Sequence, residues 1–309
     1  MSDTPNITLA SWIMIIALGF VWGGTFMVQA MALETEPPLW VAAGRITFAA
    51  VITGAVWIAR GARMFTTAQR DWPALVAASV LSAAAPFMLL AWGQQYVTSS
   101  FTGVSMAAVA LFVLPLAHFL LPGERLTMRR AIGFLIGFAG ILVLMGPETF
   151  VSTGAGMEPF GRLACLGAAA CYAVSSVLLR RLPPLDPVGI SAATLLIGSA
   201  VVVPLALASH GLPADPGPRG LALIALLGLL PTAAANLLRI IVARTAGPVF
   251  MSLTNYQVPL WSVSLGVIFL GEPLKLSLLL ATALILVGVA LTQWGALVRL
   301  FSRQNRRPS

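Results

Sequence analysis

The stretch WPALVAASVLSAAAPFMLLAWGQQYVTSSFTGVSMAAVALFVLPLAHFLL, from Trp72 to Leu121, runs for 50 residues without an Asp, Glu, Lys or Arg side chain. A helix that crosses a bilayer needs about 20 predominantly apolar residues, so this stretch is too long for one crossing. Its polar cluster at 94–100 is the natural place for a turn. The stretch therefore predicts two adjacent membrane-spanning helices.

The whole chain has the same character. Of its 309 residues 59% are hydrophobic and 9% are charged, and the mean hydropathy is +0.94. Soluble domains contain about 45–50% apolar and about 25% charged residues. The composition therefore predicts an all-α polytopic membrane protein, and it excludes a soluble enzyme and a disordered chain. With so little polar surface, the net charge of +8 does not indicate a nucleic-acid partner.

Breaks in the hydrophobic pattern divide the chain into ten predicted spans joined by loops too short to fold as soluble domains. The first is about twice as long as the apolar region of a signal peptide, so we expect it to be retained. The spans are predicted at 9–32, 37–59, 72–95, 98–121, 128–146, 159–179, 187–209, 220–242, 247–270 and 276–297.

The basic residues predict the orientation of these spans. If both termini are cytoplasmic, fourteen arginines fall in inner loops and the C-terminal tail, and three basic residues fall outside. This asymmetry follows the positive-inside rule and predicts an inner-membrane protein with an even number of crossings. The inner set is Arg60, Arg63, Arg70, Arg125, Arg129, Arg130, Arg180, Arg181, Arg239, Arg244, Arg299, Arg303, Arg306 and Arg307.

The two halves of the chain are similar. The tetrapeptide GERL at 123–126 recurs as GEPL at 271–274, a shift of 148 residues, and VWGGT at 21–25 aligns with CYAVS at 171–175 at a similar shift. Segments 9–146 and 159–297 are thus predicted repeats of five spans each. Because five is odd, the second repeat enters the membrane from the opposite side, as in secondary transporters that alternate access to a central cavity. The alternative interpretation is a duplication kept only for packing.

These motifs also resemble a known family. The segment VWGGTF at 21–26, an arginine within the second span, the turn before Thr98 and the repeated Gly-Glu-x-Leu motif resemble EamA-type transporters of the drug/metabolite transporter superfamily. The resemblance covers essentially the whole chain and is strongest to bacterial exporters of amino acids, including an aromatic amino-acid group that also handles cationic xenobiotics. It implies a basket of ten helices, with a small-molecule substrate in a cavity between the repeats.

Arg45 is the only basic residue deep within a predicted span, about 12 Å along the helix from Pro37. A charge at that depth costs several kcal/mol unless it is paired or faces water. No carboxylate lies at comparable depth in any predicted span. Two interpretations therefore stay open: Arg45 recognises an anionic group of the substrate, or it ties helix ends together.

A second set of candidates consists of aromatic and amide side chains in spans or at their ends, where contact between an amide and lipid is costly. We expect these residues to line a cavity that suits an amphipathic zwitterion. For any single aromatic residue, helix packing or a position at the membrane interface is the alternative. The set is Trp22, Gln95, Tyr96, Tyr172, Asn236, Asn255, Tyr256, Gln257 and Trp261.

Five prolines within spans are predicted hinges, because proline removes a helical hydrogen bond and bends a helix. Static kinks are the alternative. Pro115 lies nine residues before Glu124, whereas Pro259 lies thirteen before Glu272, so the kink is displaced by about one turn between the repeats. The candidates are Pro86, Pro115, Pro204, Pro231 and Pro259.

The remaining expectations concern chemistry and assembly. The chain has no HExxH, no Gly-x-Ser-x-Gly and no phosphate-binding loop, so we expect no catalytic residue, metal or cofactor. A channel and, less favoured, a membrane enzyme remain as alternative functions. The lack of interior acids favours a facilitator or weakly coupled exporter over an ion symporter. Oligomeric state and exact substrate stay open.

Overall fold

The computed structural model describes residues 7–121, 126–146, 156–213 and 215–304, and the described residues are almost entirely helical. Inside a bilayer every backbone N–H and C=O must be satisfied within the chain, which the helix achieves segment by segment. The helices of the first half are α1 (Leu9–Leu33), α2 (Pro38–Ala59), α3 (Trp72–Ser79), α4 (Ala85–Gly93), α5 (Ser99–Met106), α6 (Ala108–Leu120) and α7 (Met128–Met145).

The second half begins with the long helices α8 (Glu158–Arg181) and α9 (Pro187–His210). A π-helical segment, Val80–Ala84, joins α3 to α4. A second π-helical segment, Gly228–Ala234, joins the helices at 217–227 and 235–245. The remaining helices are α10 (Gly217–Leu227), α11 (Ala235–Thr245), α12 (Pro248–Met251), α13 (Thr254–Leu270) and α14 (Leu276–Gln304).

Nine helical stretches of the described residues are long and apolar enough to cross a membrane. The ninth predicted span, 247–270, is instead broken into α12 and the 17-residue α13, with a turn between them. The other span predictions agree with helices to within a few residues, except that α14 continues to Gln304, beyond the predicted end at 297. The turn predicted near residues 94–100 separates α4 from α5. The chain is therefore a polytopic helical membrane protein.

The helices of the two halves interlock. Helix α7 packs along α14, α2 along α9, α1 along α13 and α8 against α4 and α6, while α5 packs on α13. Glycines allow the closest approaches: a Cβ on Gly133 would lie 2.8 Å from the Gly288 carbonyl oxygen, and one on Gly140 would lie 2.8 Å from Ile285 Cγ1. Small residues at such contacts let backbones pack closely where no hydrophobic effect drives association.

The core consists mainly of two clusters of buried apolar residues, and Tyr172 of α8 packs against both. One cluster is centred on α5, α7, α8 and α14, and the other on α2, α4 and α9. Large apolar side chains such as Ile13, Phe119 and Ile268 are exposed on the outside of the bundle. In a bilayer this surface faces lipid.

Candidate functional site

Arg45 lies at the centre of a buried polar network that joins four spans. Its side chain is buried in α2, where Nε donates to Thr232 Oγ1 at 2.9 Å and Nη1 donates to Gln29 Oε1 at 3.2 Å. Gln29 belongs to α1, and Thr232 belongs to the second π-helical segment. A charge-assisted hydrogen bond is stronger than a neutral one, so these contacts offset part of the cost of burying the guanidinium.

The amides of the network form a chain that ends on the backbone. Gln29 Nε2 donates to Gln94 Oε1 at 2.8 Å, and Gln94 Nε2 donates to the Phe26 carbonyl oxygen at 2.6 Å. Thr232 Oγ1, which accepts from Arg45, donates to the Leu227 carbonyl oxygen at 2.8 Å. Gln29, Gln94 and Thr232 are all buried from solvent, so their donors and acceptors hold one another in place.

Aromatic rings complete the surroundings of Arg45. The guanidinium carbon lies 4.1 Å from the centroid of the Phe87 ring, in the geometry of a cation–π contact. Tyr172 of α8 packs against the apolar cluster to which Phe87 belongs. Trp22 Nε1 donates to the Pro231 carbonyl oxygen at 3.0 Å, next to Thr232 in the sequence. The structure therefore brings three predicted residues together: Trp22, Arg45 and Tyr172.

The network leaves Arg45 with unused donor capacity. Within the described part of the chain, no carboxylate lies within ion-pair distance of Arg45, and its Nη2 group donates to no described residue. A guanidinium carries five N–H donors in a planar fork that matches a carboxylate or phosphate. Chemically, the N–H edge of the guanidinium can bind one anionic group while its face lies on the Phe87 ring.

A second group of predicted residues lies on α13, where that helix packs on α1. Gln257 is half-buried beside Gly19, and Trp261 is half-buried beside Gly23 with its ring 5.2 Å from that of Phe20. The Tyr256 hydroxyl is buried without a hydrogen-bond partner among the described residues. These contacts give Gln257 and Trp261 packing roles that are independent of a ligand.

The other predicted residues lie outside the Arg45 network. Asn236 of α11 donates to Ser191 Oγ at 3.2 Å and accepts from Arg239 Nε at 3.0 Å. Asn255 is exposed at the start of α13. Gln95 and Tyr96 are exposed beyond the end of α4, where the Gln95 amide donates to the Trp92 carbonyl oxygen and Tyr96 contacts the Trp92 ring.

Two of the predicted hinge prolines lie in or next to a π-helical segment. Pro86 follows the first π-helical segment by two residues, and Pro231 lies within the second. Pro115, Pro204 and Pro259 lie inside the regular helices α6, α9 and α13. Pro204 is exposed on the outside of the bundle, whereas Pro259 is buried.

Sequence reasoning missed Gln29, Gln94, Thr232 and Phe87 as partners of Arg45. Gln29 carried a usable signal, because it is the only amide in α1 and faces the same desolvation cost as other polar groups in lipid. Thr232 and Phe87 carried none, because threonine and phenylalanine are common in such helices.

Glu272 of the repeated tetrapeptide has a structural role. Its carboxylate accepts from the backbone N–H groups of Ser99 at 2.6 Å and Ser100 at 3.0 Å, and from the Ser100 hydroxyl. These groups are the first turn of α5, so the carboxylate caps that helix where its dipole favours negative charge. The corresponding Glu124 of the first repeat lies outside the described residues.

Arg162 is a second buried arginine, at the start of α8. Its Nη2 pairs with Glu158 at 2.6 Å, and its Nη1 donates to the Met145 carbonyl oxygen. In the loop before α2, burial raises the pKa of Glu36, and the nearby Asp215 raises it further. Among the described residues, no group of three or more His, Cys, Asp or Glu is placed to hold a metal ion.

Known proteins are similar to this chain in sequence and in fold. The model of the EamA-like transporter family matches residues 9–146 and again residues 159–294. The uncharacterized inner membrane transporter YedA of Escherichia coli is 27% identical over 286 residues, which are 91% of this chain and 90% of YedA. The uncharacterized transporter YwfM of Bacillus subtilis is 28% identical over 283 residues, which are 89% of this chain and 90% of YwfM.

A solved crystal structure has the same fold. It superposes with a TM-score of 0.65 at 21% identity and covers 96% of this chain and 99% of its own. At this level of identity the likeness concerns the arrangement of the helices.

Proposed function

The chain belongs to the EamA-like transporter family, and from that premise we propose that it exports amino acids and related small metabolites across a bacterial inner membrane. The observation that carries the proposal is the buried Arg45, which has donors to spare, no carboxylate partner among the described residues and an aromatic ring beneath it. An amino acid supplies the missing carboxylate, and an aromatic amino acid also supplies a ring for Trp22 or Tyr172. Aromatic amino acids are therefore the substrates to test first. Cationic xenobiotics, which only the family resemblance suggests, offer Arg45 no carboxylate and come second.

We place the substrate in a cavity between two inverted repeats that open it to each side in turn. Two observations support this. The family model matches two segments of nearly equal length. The packing of the helices also has the symmetry expected of two repeats. The first span of one half packs on the fourth span of the other, as α1 on α13 and α8 on α6, and the fifth spans, α7 and α14, pack on each other. Similar halves of this kind suit alternating access around a fixed site.

The π-helical segments fit the same proposal. They begin at residues 80 and 228, a separation of 148, which is also the shift between the repeated tetrapeptides. π-Helical turns occur frequently at functional sites, and Thr232 in the second one bonds Arg45. In this proposal the bends near Pro86 and Pro231 act as hinges, with Pro115, Pro204 and Pro259 as further bends.

The membrane and the direction of the termini complete the proposal. YedA is called an inner membrane transporter, which supports an inner-membrane location for this chain. The arginine asymmetry supports cytoplasmic termini. Because no carboxylate among the described residues lies deep in a span, we expect facilitated or weakly coupled transport.

Reconstitution tests the function directly. Purified protein in proteoliposomes, preloaded with one amino acid, should take up a radiolabelled amino acid by counterflow, and the uptake should saturate. Counterflow separates a carrier from a channel, because a channel does not exchange one substrate for another. Uptake that requires an imposed pH or sodium gradient would contradict the weak coupling proposed here.

Substitution of Arg45 tests the site. Arg45→Gln removes the charge and should reduce uptake of zwitterionic amino acids at least about tenfold, the value of a good charge-assisted contact. Arg45→Lys, which keeps the positive charge, should retain part of the wild-type uptake. Arg244→Gln is the control, because Arg244 is exposed at the end of α11. Normal uptake by a folded Arg45→Gln variant would end the recognition role.

A further inference from the structure

Two loops at one end of the bundle pair with each other. The loop between α2 and α3 and the loop between α8 and α9 meet at an antiparallel bridge between Phe65 and Leu185. The Thr66 N–H and hydroxyl both donate to the Pro184 carbonyl oxygen, at 3.1 and 2.9 Å. The Asp186 N–H donates to the Met64 carbonyl oxygen at 2.8 Å. The two loops therefore form one surface.

This pairing collects arginines from both halves of the chain. The basic surface consists of Arg60, Arg63, Arg70, Arg180 and Arg181, and all five are exposed. Arg63 precedes the paired segment, and its carbonyl oxygen accepts from Trp57 Nε1 at 2.7 Å, which fixes the loop backbone there.

The acids of the same loops are already engaged. Asp71 accepts from the Ala74 N–H at 3.0 Å and caps α3. Asp186 accepts from the N–H groups of Val188 and Gly189 at 3.0 and 2.9 Å and caps α9. Since both carboxylates are held at helix starts, they leave Arg60, Arg63, Arg70 and Arg181 to an anion from outside the chain.

Aromatic residues place this surface at the level of lipid headgroups. Trp72 begins α3 and is 48% exposed, and its ring lies 5.1 Å from that of Phe65. Tryptophan at the end of a membrane-spanning helix marks the boundary between hydrocarbon and headgroups. The arginines next to these rings therefore lie at the depth of lipid phosphates.

We propose that this basic surface binds the headgroups of anionic phospholipids. Planar guanidinium groups suit phosphate oxygens, because each can donate two parallel hydrogen bonds. The two loops come from different halves of the chain, so a bound lipid bridges them. Clusters of basic residues next to membrane spans commonly recognise acidic lipids, and this cluster has the charge, exposure and depth for it. The inference is independent of the transported substrate.

Lipid binding to the full-length protein in neutral detergent tests the proposal. Native mass spectrometry should show phosphatidylglycerol retained in preference to phosphatidylcholine, and phosphatidylglycerol should raise the melting temperature. The pair Arg63→Gln and Arg181→Gln, one from each loop, should weaken phosphatidylglycerol binding about tenfold or more. The pair Arg60→Gln and Arg70→Gln should also weaken it, which keeps the test valid if the first pair fails to fold.

The matched control is the pair Arg129→Gln and Arg244→Gln, which removes the same charge from exposed positions on other helices. This control should bind phosphatidylglycerol like the wild type. Equal losses in the control and test pairs, equal binding of phosphatidylcholine, or displacement of the lipid by millimolar inorganic phosphate would each overturn the proposal.

Discussion

Thr232 is the residue that joins Arg45 to the second half of the chain. Its hydroxyl accepts from Arg45 Nε and donates to the Leu227 carbonyl oxygen. Thr232→Val keeps the shape and removes both bonds, leaving a buried charge with one partner fewer. We expect a loss of about 1 kcal/mol, typical of interhelical polar contacts in membranes, seen as a lower melting temperature in detergent.

The control for Thr232 is Thr53→Val in α2. The Thr53 hydroxyl is equally buried but donates only to Ala49 of its own helix, at 2.8 Å. This variant should melt close to the wild type. If both variants lost the same stability, the bond between Thr232 and Arg45 would carry no special weight.

Glu36 makes stability depend on pH. Burial, and then Asp215, raise its pKa above the ordinary value of 4.5, so the folded state binds more protons than the unfolded state between that value and the raised one. Stability therefore falls as the pH rises through this window. Glu36→Gln should flatten that slope and raise the melting temperature at neutral pH.

Melting curves between pH 4 and pH 8 check this prediction. Glu34→Gln is the matched control, because the Glu34 carboxylate accepts from Arg219 Nη2 at 3.2 Å, and its negative charge is favourable beside that arginine. The control should not raise the melting temperature at neutral pH. A Glu36→Gln variant with the same pH slope as the wild type would contradict the assignment.

At the scale of whole helices, close contacts depend on single glycines. On Gly133 of α7 a methyl group would lie 2.8 Å from the Gly288 carbonyl oxygen and 2.9 Å from Leu291 Cβ. The first neighbour is backbone and cannot turn away, so α7 and α14 must separate. Gly133→Ala should cost about 1–3 kcal/mol, as overpacking does.

Gly167→Ala in α8 serves as the comparison. A Cβ there meets only Leu89 Cδ1, at 3.6 Å, which is an ordinary contact. Thermal unfolding in detergent should therefore separate the two variants clearly. Equal melting temperatures would mean that α7 and α14 do not rely on close backbone approach.

The helices also show how far a sequence predicts such a structure. The apolar runs and the polar turn near residue 94 predicted most spans within a few residues, because backbone hydrogen bonding in lipid permits little else. The ninth span was predicted as one helix and is broken before Thr254. The π-helical segments were not predicted either, since a π-helical turn has no distinct hydrophobic period.

The site was harder to predict than the fold. Depth within a span singled out Arg45, because burial of a charge is costly wherever it occurs. Its partners depend on how four spans meet, and that is set by contacts between residues up to 187 positions apart. An exposed asparagine such as Asn255 has the same residue type as one inside the bundle, so residue type alone does not tell which of them lines a site.

At the scale of the whole molecule, the loop pairs test the arrangement of the spans in the membrane. The loop with the Phe65 bridge carries arginines and is predicted on the cytoplasmic side, and the loop after α9 is predicted outside. Single cysteines at Thr67 and Leu212, both exposed, report on these two loops in a variant lacking Cys165 and Cys171. In intact cells a membrane-impermeant maleimide should label Leu212→Cys and should label Thr67→Cys only after permeabilisation. Because the arginines favour one orientation so strongly, labelling of Thr67→Cys in intact cells would mean that charge does not set the topology of this chain.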